Sequence, residues 1–437
     1  MSAPRSSGKG RRFQGRARPG ESRGPAVRAE FLIETVGGEG DGQAKGPLFI
    51  PFSLPGERVV AEGSGDRRDL VAVLEASAER VDPPCPHFGS CGGCALQHWQ
   101  SHAYLAWKVE RLARTLARER LETEILPVFA APPASRRRLA LHARKGRPDL
   151  ARIGYKARKS WDLVEVEACP IAEPGLQDAF PMLRRLAAPL FEHPKSAPTL
   201  HVTLTGAGLD IDISGVERKS GGLSADARQR LASVAAEADL ARVTLDGEIA
   251  YMARQPTIRF GQAIVGLPAG GFLQAVASAE AAMTAFAVEA AQGAVRIADL
   301  YCGAGAFTFP LAQVAPVQAA DAHAPAIQAL NAAIATAPGL KEIRAEARDL
   351  VRRPVLAEEL RKIDVALIDP PRAGAAEQTA EIARSKVSRV IGVSCNPATF
   401  VRDARLLVDA GFVLEKVLPV DQFLWSAHVE LVSVFTR

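Results

Sequence analysis

The C-terminal part of this 437-residue chain, 261–437, predicts an α/β fold built on a doubly wound, mostly parallel seven-stranded sheet. Three observations carry that expectation. Strand-length apolar runs alternate with alanine-rich helical stretches. One run, Val390-Ile391-Gly392-Val393, holds no polar residue, as a strand buried on both faces requires. Several runs also end in chemistry-bearing residues, where an open α/β sheet keeps its site. The expected strands are 295–301, 317–321, 343–349, 363–368, 387–394, 413–420 and 428–435. A small OB-like β-barrel and a mixed α+β central domain are expected to precede this sheet.

Residues 1–28 hold eight Lys/Arg against one Glu amid Gly, Ser and Pro, too few apolar groups to fold alone. This disordered basic tail is either an RNA-attracting arm or a solubilising one. From 29 to 82, short alternating runs (30–34, 47–51, 57–61 and 69–74) separated by glycine-rich turns suggest the OB-like barrel. The central domain, 83–260, opens on Cys85, Cys91 and Cys94, a C-x5-C-x2-C spacing whose glycines let the sulfurs converge. Zinc and an iron–sulfur cluster both suit it, with Cys169 as the obvious fourth ligand. His87 and His98 flank the group as further candidate ligands, with a place beside the ligands or at the surface as the favoured alternative for each. A basic amphipathic helix is expected over 99–122, with Leu105, Val109, Leu112, Leu116 and Leu121 inside and Lys108, Arg111, Arg114, Arg118 and Arg120 in the charged face. Residues 135–160 are strand-like and strongly basic, and Tyr155 among those cations suits stacking on an RNA base. A hairpin follows over 200–214, with outward Thr and Asp residues.

The net charge of +5 permits a nucleic-acid partner without requiring one. No apolar run reaches membrane-spanning length and the basic N-terminus lacks the apolar core of a signal peptide, so a cytoplasmic location is expected. In a reducing cytoplasm six unevenly spaced cysteines point to metal binding and catalysis, not to disulfides.

Three strand ends carry chemistry. Asp299-Leu300-Tyr301-Cys302-Gly303-Ala304-Gly305 runs into a G-x-G turn, and Asp321 ends the next strand, the usual place for an acid on ribose hydroxyls. Thr308 stands where a dinucleotide fingerprint has its third glycine, so an adenosine ligand without a pyrophosphate fits better, S-adenosylmethionine foremost. Cys302 is a small buried thiol of the turn. Asp369-Pro370-Pro371-Arg372 forms a rigid shelf at a second strand end, and Arg372 argues against the amine-methylating enzymes. At the third, Cys395 precedes Pro397 and a helix over 398–410, whose N-terminus lowers a thiol pKa. The alternative for Cys395 is a buried structural thiol.

Together S-C-N-P-A-T, D-P-P-R-A-G, L-Y-C-G-A-G-A-F and C-x5-C-G-G-C-x-x-Q-H resemble the bacterial RNA uridine-5 methyltransferases, which make 5-methyluridine in ribosomal or transfer RNA. The resemblance spans nearly everything from the OB-like domain, the family's TRAM domain, to the C-terminus. It implies a class I S-adenosylmethionine-dependent methyltransferase fold and a monomer acting on RNA, with ribosomal RNA preferred through the TRAM-like domain and cluster. It places a 4Fe–4S cluster on Cys85, Cys91, Cys94 and Cys169. It places S-adenosylmethionine on Gln274, Tyr301, Ala306, Asp321, Asp349 and Asp369. Cys395 becomes the nucleophile that adds to uracil C6, and Glu430 the base that removes the C5 proton; on sequence pattern alone, Glu430 is a solvated strand-end carboxylate. Two departures stand out: Ala275-Val276 follows Gln274 where the family has Val-Asn, and Trp425 replaces a histidine near the substrate. The competing readings are a transfer RNA methylase, a non-catalytic RNA-binding protein with structural zinc, and a DNA cytosine methyltransferase, whose Pro-Cys-Gln loop is missing.

Overall fold

The computed structural model describes residues 26–216 and 222–437. Residues 1–25 of the expected basic tail lie outside the described residues. Strands β1 (Val27–Val36), β2 (Gly42–Ala44), β3 (Leu48–Ile50), β4 (Arg58–Gly63) and β5 (Asp69–Glu75) form an antiparallel sheet in the order β3-β2-β1-β4-β5. One face buries Ile33, Ala44, Ile50, Val59 and Ala61. Strand β2 has no β-branched signal in its sequence, which is why alternation misses it.

The helix Ser101–Arg118 buries one stripe: Tyr104 and Trp107 pack with Val36, Leu54 and Leu96, and Leu112 and Leu116 with the C-terminal sheet. Lys108 is fully buried on that stripe, contrary to its expected place in the charged face. Two short strands follow, β6 (Glu124–Ile125) and β7 (Phe129–Ala130).

A second sheet holds β8 (Arg138–Arg147), β9 (Leu150–Lys156), β10 (Leu163–Glu165), β11 (Thr199–Thr205), β12 (Gly208–Ser214), β13 (Arg242–Leu245) and β14 (Glu248–Met252), in the order β10-β9-β8-β11-β12-β13-β14. Leu141, Ile153, Val202 and Ile211 pack with Leu183 and Leu231 from the helices Phe180–Ala187 and Ala225–Glu237. Asp210, expected to face outward, is 4% exposed and takes both ends of the Arg242 guanidinium, at 2.8 and 2.7 Å. A buried carboxylate survives there because the paired fork satisfies it.

After the hairpin β15 (Thr257–Phe260) and β16 (Ala263–Gly266) come β17 (Ile297–Leu300), β18 (Val317–Asp321), β19 (Ile343–Ala347), β20 (Val365–Ile368), β21 (Arg389–Ser394), β22 (Val413–Asp421) and β23 (Glu430–Thr436). Their order is β19-β18-β17-β20-β21-β23-β22, parallel except for β23, which runs antiparallel between β21 and β22. The expected seven strands gain two: β6 and β7 pair in parallel with β22 and cover its free edge. The strand order reverses between β17 and β20, so a crevice opens beyond their carboxyl ends. No helix among the described residues is long and apolar enough to cross a membrane.

Candidate active site

Strands β20 and β21 pair with Ile368 opposite Gly392, so Asp369-Pro370-Pro371-Arg372 and Cys395-Asn396-Pro397 leave the sheet side by side. Asn396 joins the two loops. Its side-chain oxygen accepts from the Ala398 N–H at 3.1 Å and caps the helix Pro397–Asp409. Its amide nitrogen donates to the Arg372 carbonyl at 3.2 Å, and the Thr399 hydroxyl donates to the same carbonyl at 3.3 Å. Gly374 turns the first loop at φ +79°, and Asp403 accepts the next N–H, that of Ala375, at 2.8 Å. Cys395 is half-buried at this junction. Its thiol does not follow the expectation from the helix N-terminus. Burial pushes it up, the neighbouring Glu430 and Asp369 carboxyls add to that, and Arg372 opposes them.

Glu430 opens β23 and is 6% exposed, which pushes its carboxyl up to about 7; a hydrogen bond from Gln422 opposes the shift. Gln422 is the hub here. Its amide nitrogen reaches Gln274 Oε1 at 2.8 Å and Glu430 Oε1 at 3.2 Å, while its oxygen accepts the Ala275 N–H at 3.1 Å. The segment around the Ala275-Val276 departure is thus held through backbone. Arg137 holds it from the other side, donating to the Gln274 carbonyl at 3.1 Å and to Glu280 at 2.7 Å. Asp369 is pushed well above the usual carboxylate range by burial, then by Glu430, Asp299 and Asp321. Asp299, buried inside β17, is raised to about 7 and accepts from the Thr308 hydroxyl at 2.5 Å.

The turn after β17 needs left-handed backbone at Tyr301 (φ 66°), Gly303 (φ 54°) and Gly305 (φ 101°). Asp321 fixes it, accepting the Gly303 N–H at 2.9 Å and the His323 N–H at 2.7 Å. The Tyr301 hydroxyl is buried with no protein partner and is raised to about 12 by burial and by carboxylates that include Asp349 and Asp321. Ala306 is half-buried in the same turn. Asp349 accepts the N–H groups of Val351 and Arg352 at 3.1 and 3.2 Å. Tyr301, Asp321, Asp349, Asp369, Cys395 and Glu430 therefore gather around the β17–β20 crevice, with Gln274 joined through Gln422. An unpartnered buried hydroxyl beside carboxylates suits a polar ligand such as S-adenosylmethionine.

The helix Ser101–Arg118 fixes the loop that delivers Glu430. Lys108 Nζ lies 2.7 Å from Asp421, both side chains fully buried, and also donates to the His428 carbonyl. The Tyr104 hydroxyl donates to the other Asp421 oxygen and accepts the Trp425 N–H at 3.2 Å. Arg111 donates to the Ala427 carbonyl at 2.8 Å. Burial pushes the lysine down and Asp421 up, and their mutual contact works against both shifts. Trp425 is 8% exposed with φ 57°, and its carbonyl accepts from Ala95 and Leu96.

Residues 232–437 match the family model for tRNA (uracil-5-)-methyltransferases. A Caulobacter vibrioides protein described as an uncharacterized RNA methyltransferase is 64% identical over 93% of this chain and 100% of its own length. The 23S rRNA (uracil(1939)-C(5))-methyltransferase RlmD of Chromohalobacter salexigens is 31% identical over 95% of this chain and 92% of its own. The chain belongs to the RNA uracil-C5 methyltransferase family. It is an RNA methyltransferase of the uracil-5 type. In fold it matches the Pyrococcus abyssi tRNA (uracil-54, C5)-methyltransferase in complex with S-adenosyl-L-homocysteine, with a TM-score of 0.71 at 22% identity, covering 93% of this chain and 99% of that one.

In this methyltransferase Cys85, Cys91, Cys94 and Cys169 line one cavity of ≈ 290 Å³, which Phe423, Leu424, Ser426 and His428 also line. Burial pushes the Cys91, Cys94 and Cys169 thiols up, Cys94 to about 12. Among the described residues no three His, Cys, Asp or Glu side chains converge on one metal-ion position. Tyr155 does not face solvent for base stacking: its hydroxyl lies 3.8 Å from Cys169 Sγ. His87 accepts the Glu167 N–H at 3.1 Å, and His98 is buried against Phe52 and Phe88 and pushed down to about 3 by burial. Sequence reasoning missed Gln422 and the roles of Lys108 and Asp421, because nothing local marks an amide, a lysine or an aspartate as buried.

Proposed function

We propose that this methyltransferase methylates uridine C5 in RNA through a covalent adduct on Cys395, with large-subunit (23S) ribosomal RNA as the preferred substrate. The observation that carries the chemistry is the convergence of Cys395, Asp369 and Glu430, with Gln422 bridging Glu430 to Gln274. Uracil C5 is a weak nucleophile. The Cys395 thiol loses its proton to solvent and the thiolate adds to C6, so that the electron pair of the C5–C6 bond becomes available at C5. Bound S-adenosylmethionine supplies an electrophilic methyl group. Glu430, held near 7, is partly ionised at neutral pH and takes the C5 proton; the C6–S bond then breaks and returns the thiolate. Gln422 keeps the Glu430 carboxyl aimed while bonded to Gln274. Gln274, Tyr301, Ala306, Asp321, Asp349 and Asp369 form the cofactor's surroundings.

The four cysteines are assigned to a 4Fe–4S cluster. All four line one cavity, and the C-x5-C-x2-C spacing with Cys169 suits a cluster held on four thiolates. Protein purified without oxygen should be brown, with about four irons per chain. A colourless protein carrying stoichiometric zinc would replace the iron assignment. Six free cysteines accord with a reducing cytoplasm. The five-stranded N-terminal sheet is the segment that the TRAM reading names. Two readings of the substrate compete, because the family model's description says tRNA and the Chromohalobacter relative acts on 23S rRNA. Mapping 5-methyluridine in both RNAs from cells lacking the protein separates them: a site lost from 23S rRNA supports the proposal, and one lost from transfer RNA alone overturns the substrate.

A further inference from the structure

Among the described residues the most exposed large hydrophobic side chain is Trp161, at 78%, whereas Trp99, Trp107 and Trp425 are at 5%, 5% and 8%. It sits in the turn joining β9 to β10, where Lys156 pairs with Leu163. That turn is tied to the loop between β1 and β2 and to the cysteine loop. Lys159 pairs with Glu39 at 3.0 Å, Arg158 pairs with Asp41 at 2.5 Å, and the Lys156 carbonyl accepts the Gly92 N–H at 3.0 Å. The Asp162 carboxylate is taken up by the Ser160 hydroxyl at 2.8 Å. The indole is left outward with the Lys156 ammonium 3.7 Å from its ring centroid.

The neighbouring sheet face is cationic. Residues two apart on a strand share a face, so Lys156 lies on the side of Arg152. Arg152 pairs in register with Arg144, and His142 follows two residues before it on β8. Lys156, Arg144 and His201 all bear on His142, which places the five together. Glu165 answers only Arg152 and Arg184.

We propose that this face is a platform for single-stranded RNA, with Trp161 stacking on an unpaired base and Lys156, Arg144 and Arg152 meeting the phosphates. An exposed aromatic beside cations on an antiparallel sheet is the combination that holds unstacked bases, because every base has a π-face and carries a phosphate. The platform rests on the RNA methyltransferase reading and adds where the strand lies outside the reaction site.

Indole fluorescence tests this, since Trp161 is the one strongly exposed tryptophan of the four. Titrating a uridine-containing single-stranded oligonucleotide should quench the emission. Trp161→Ala should abolish the quench and weaken binding about five- to a hundredfold, Trp161→Phe should restore most of the affinity, and S-adenosylmethionine affinity should not move in either. Lys156→Gln should weaken binding and lower the salt slope by about one. Unchanged RNA affinity in Trp161→Ala overturns the proposal, and so does equal quenching by a blunt duplex. The titration reads binding whether or not methyl transfer occurs, so failure of the platform and failure of the methyltransferase mechanism show up separately.

Discussion

Near neutral pH the Glu430 carboxyl divides between acid and carboxylate, because burial holds it at about 7. The carboxylate is the form that takes the C5 proton, so in single-turnover experiments the rate of adduct resolution should rise with pH and level off above about 7. A resolution rate independent of pH across that range would remove Glu430 as the base. Glu430→Gln should permit attack and methyl transfer but stall proton removal, so a covalent protein–RNA species should accumulate. Cys395 is the complementary case. Burial pushes its thiol up, and the Glu430 and Asp369 carboxyls add to that. The sequence motif identified this residue, but its pKa depends on Asp369 and Glu430, which no local pattern places beside it.

At the scale of elements, the helix Ser101–Arg118 holds the segment between β22 and β23 through Lys108, Tyr104 and Arg111. Lys108→Met leaves Asp421 buried without its partner and should cost about 3–5 kcal/mol of stability. It should also slow adduct resolution as Glu430→Gln does, by releasing the loop that aims Glu430. The double variant Lys108→Met/Asp421→Leu removes both charges and should recover most of the stability. If Lys108→Met resolves its adduct at the wild-type rate, the helix supports the fold without positioning the base. Little of this was legible in the sequence. Strands β17 to β23 were, since the central β20 and β21 carry apolar runs buried on both faces and helical stretches space the others, and so were the motif loops at their ends. Lys108 and Asp421 are 313 residues apart, and Gln274 and Gln422 are 148 apart. Residue type alone puts a lysine on the surface, and only tertiary packing overrides that. The same blindness exchanged Tyr155 for Trp161: strand β9 turns the tyrosine toward Cys169, while the turn beyond it leaves the tryptophan in solvent.

Across the whole molecule the crevice concentrates carboxyls that burial raises, Asp299 and Glu430 each to about 7 and Asp369 well above its usual range. A carboxyl raised in the folded state binds more protons than its unfolded counterpart, so its contribution is complete below the ordinary carboxylate range and is lost as pH rises through the folded value. For Glu430 alone the loss is roughly 3 kcal/mol. The thermal midpoint should therefore fall as pH is raised from about 5 to about 8, and Glu430→Gln, which cannot ionise, should flatten that fall. An unchanged slope would mean these carboxyls are not held protonated. The fold thus spends stability on a crowded acidic crevice, the setting in which a thiol and a base act on one base ring. The covalent step there can be read directly. RNA containing 5-fluorouridine cannot lose fluorine as a cation, so methylation should trap the enzyme on its substrate. Digestion and mass spectrometry of the trapped complex should place the nucleotide on the peptide containing Cys395, with no such adduct in Cys395→Ala. An adduct on Cys302, or near-normal methylation by Cys395→Ala, would contradict the assignment of the nucleophile.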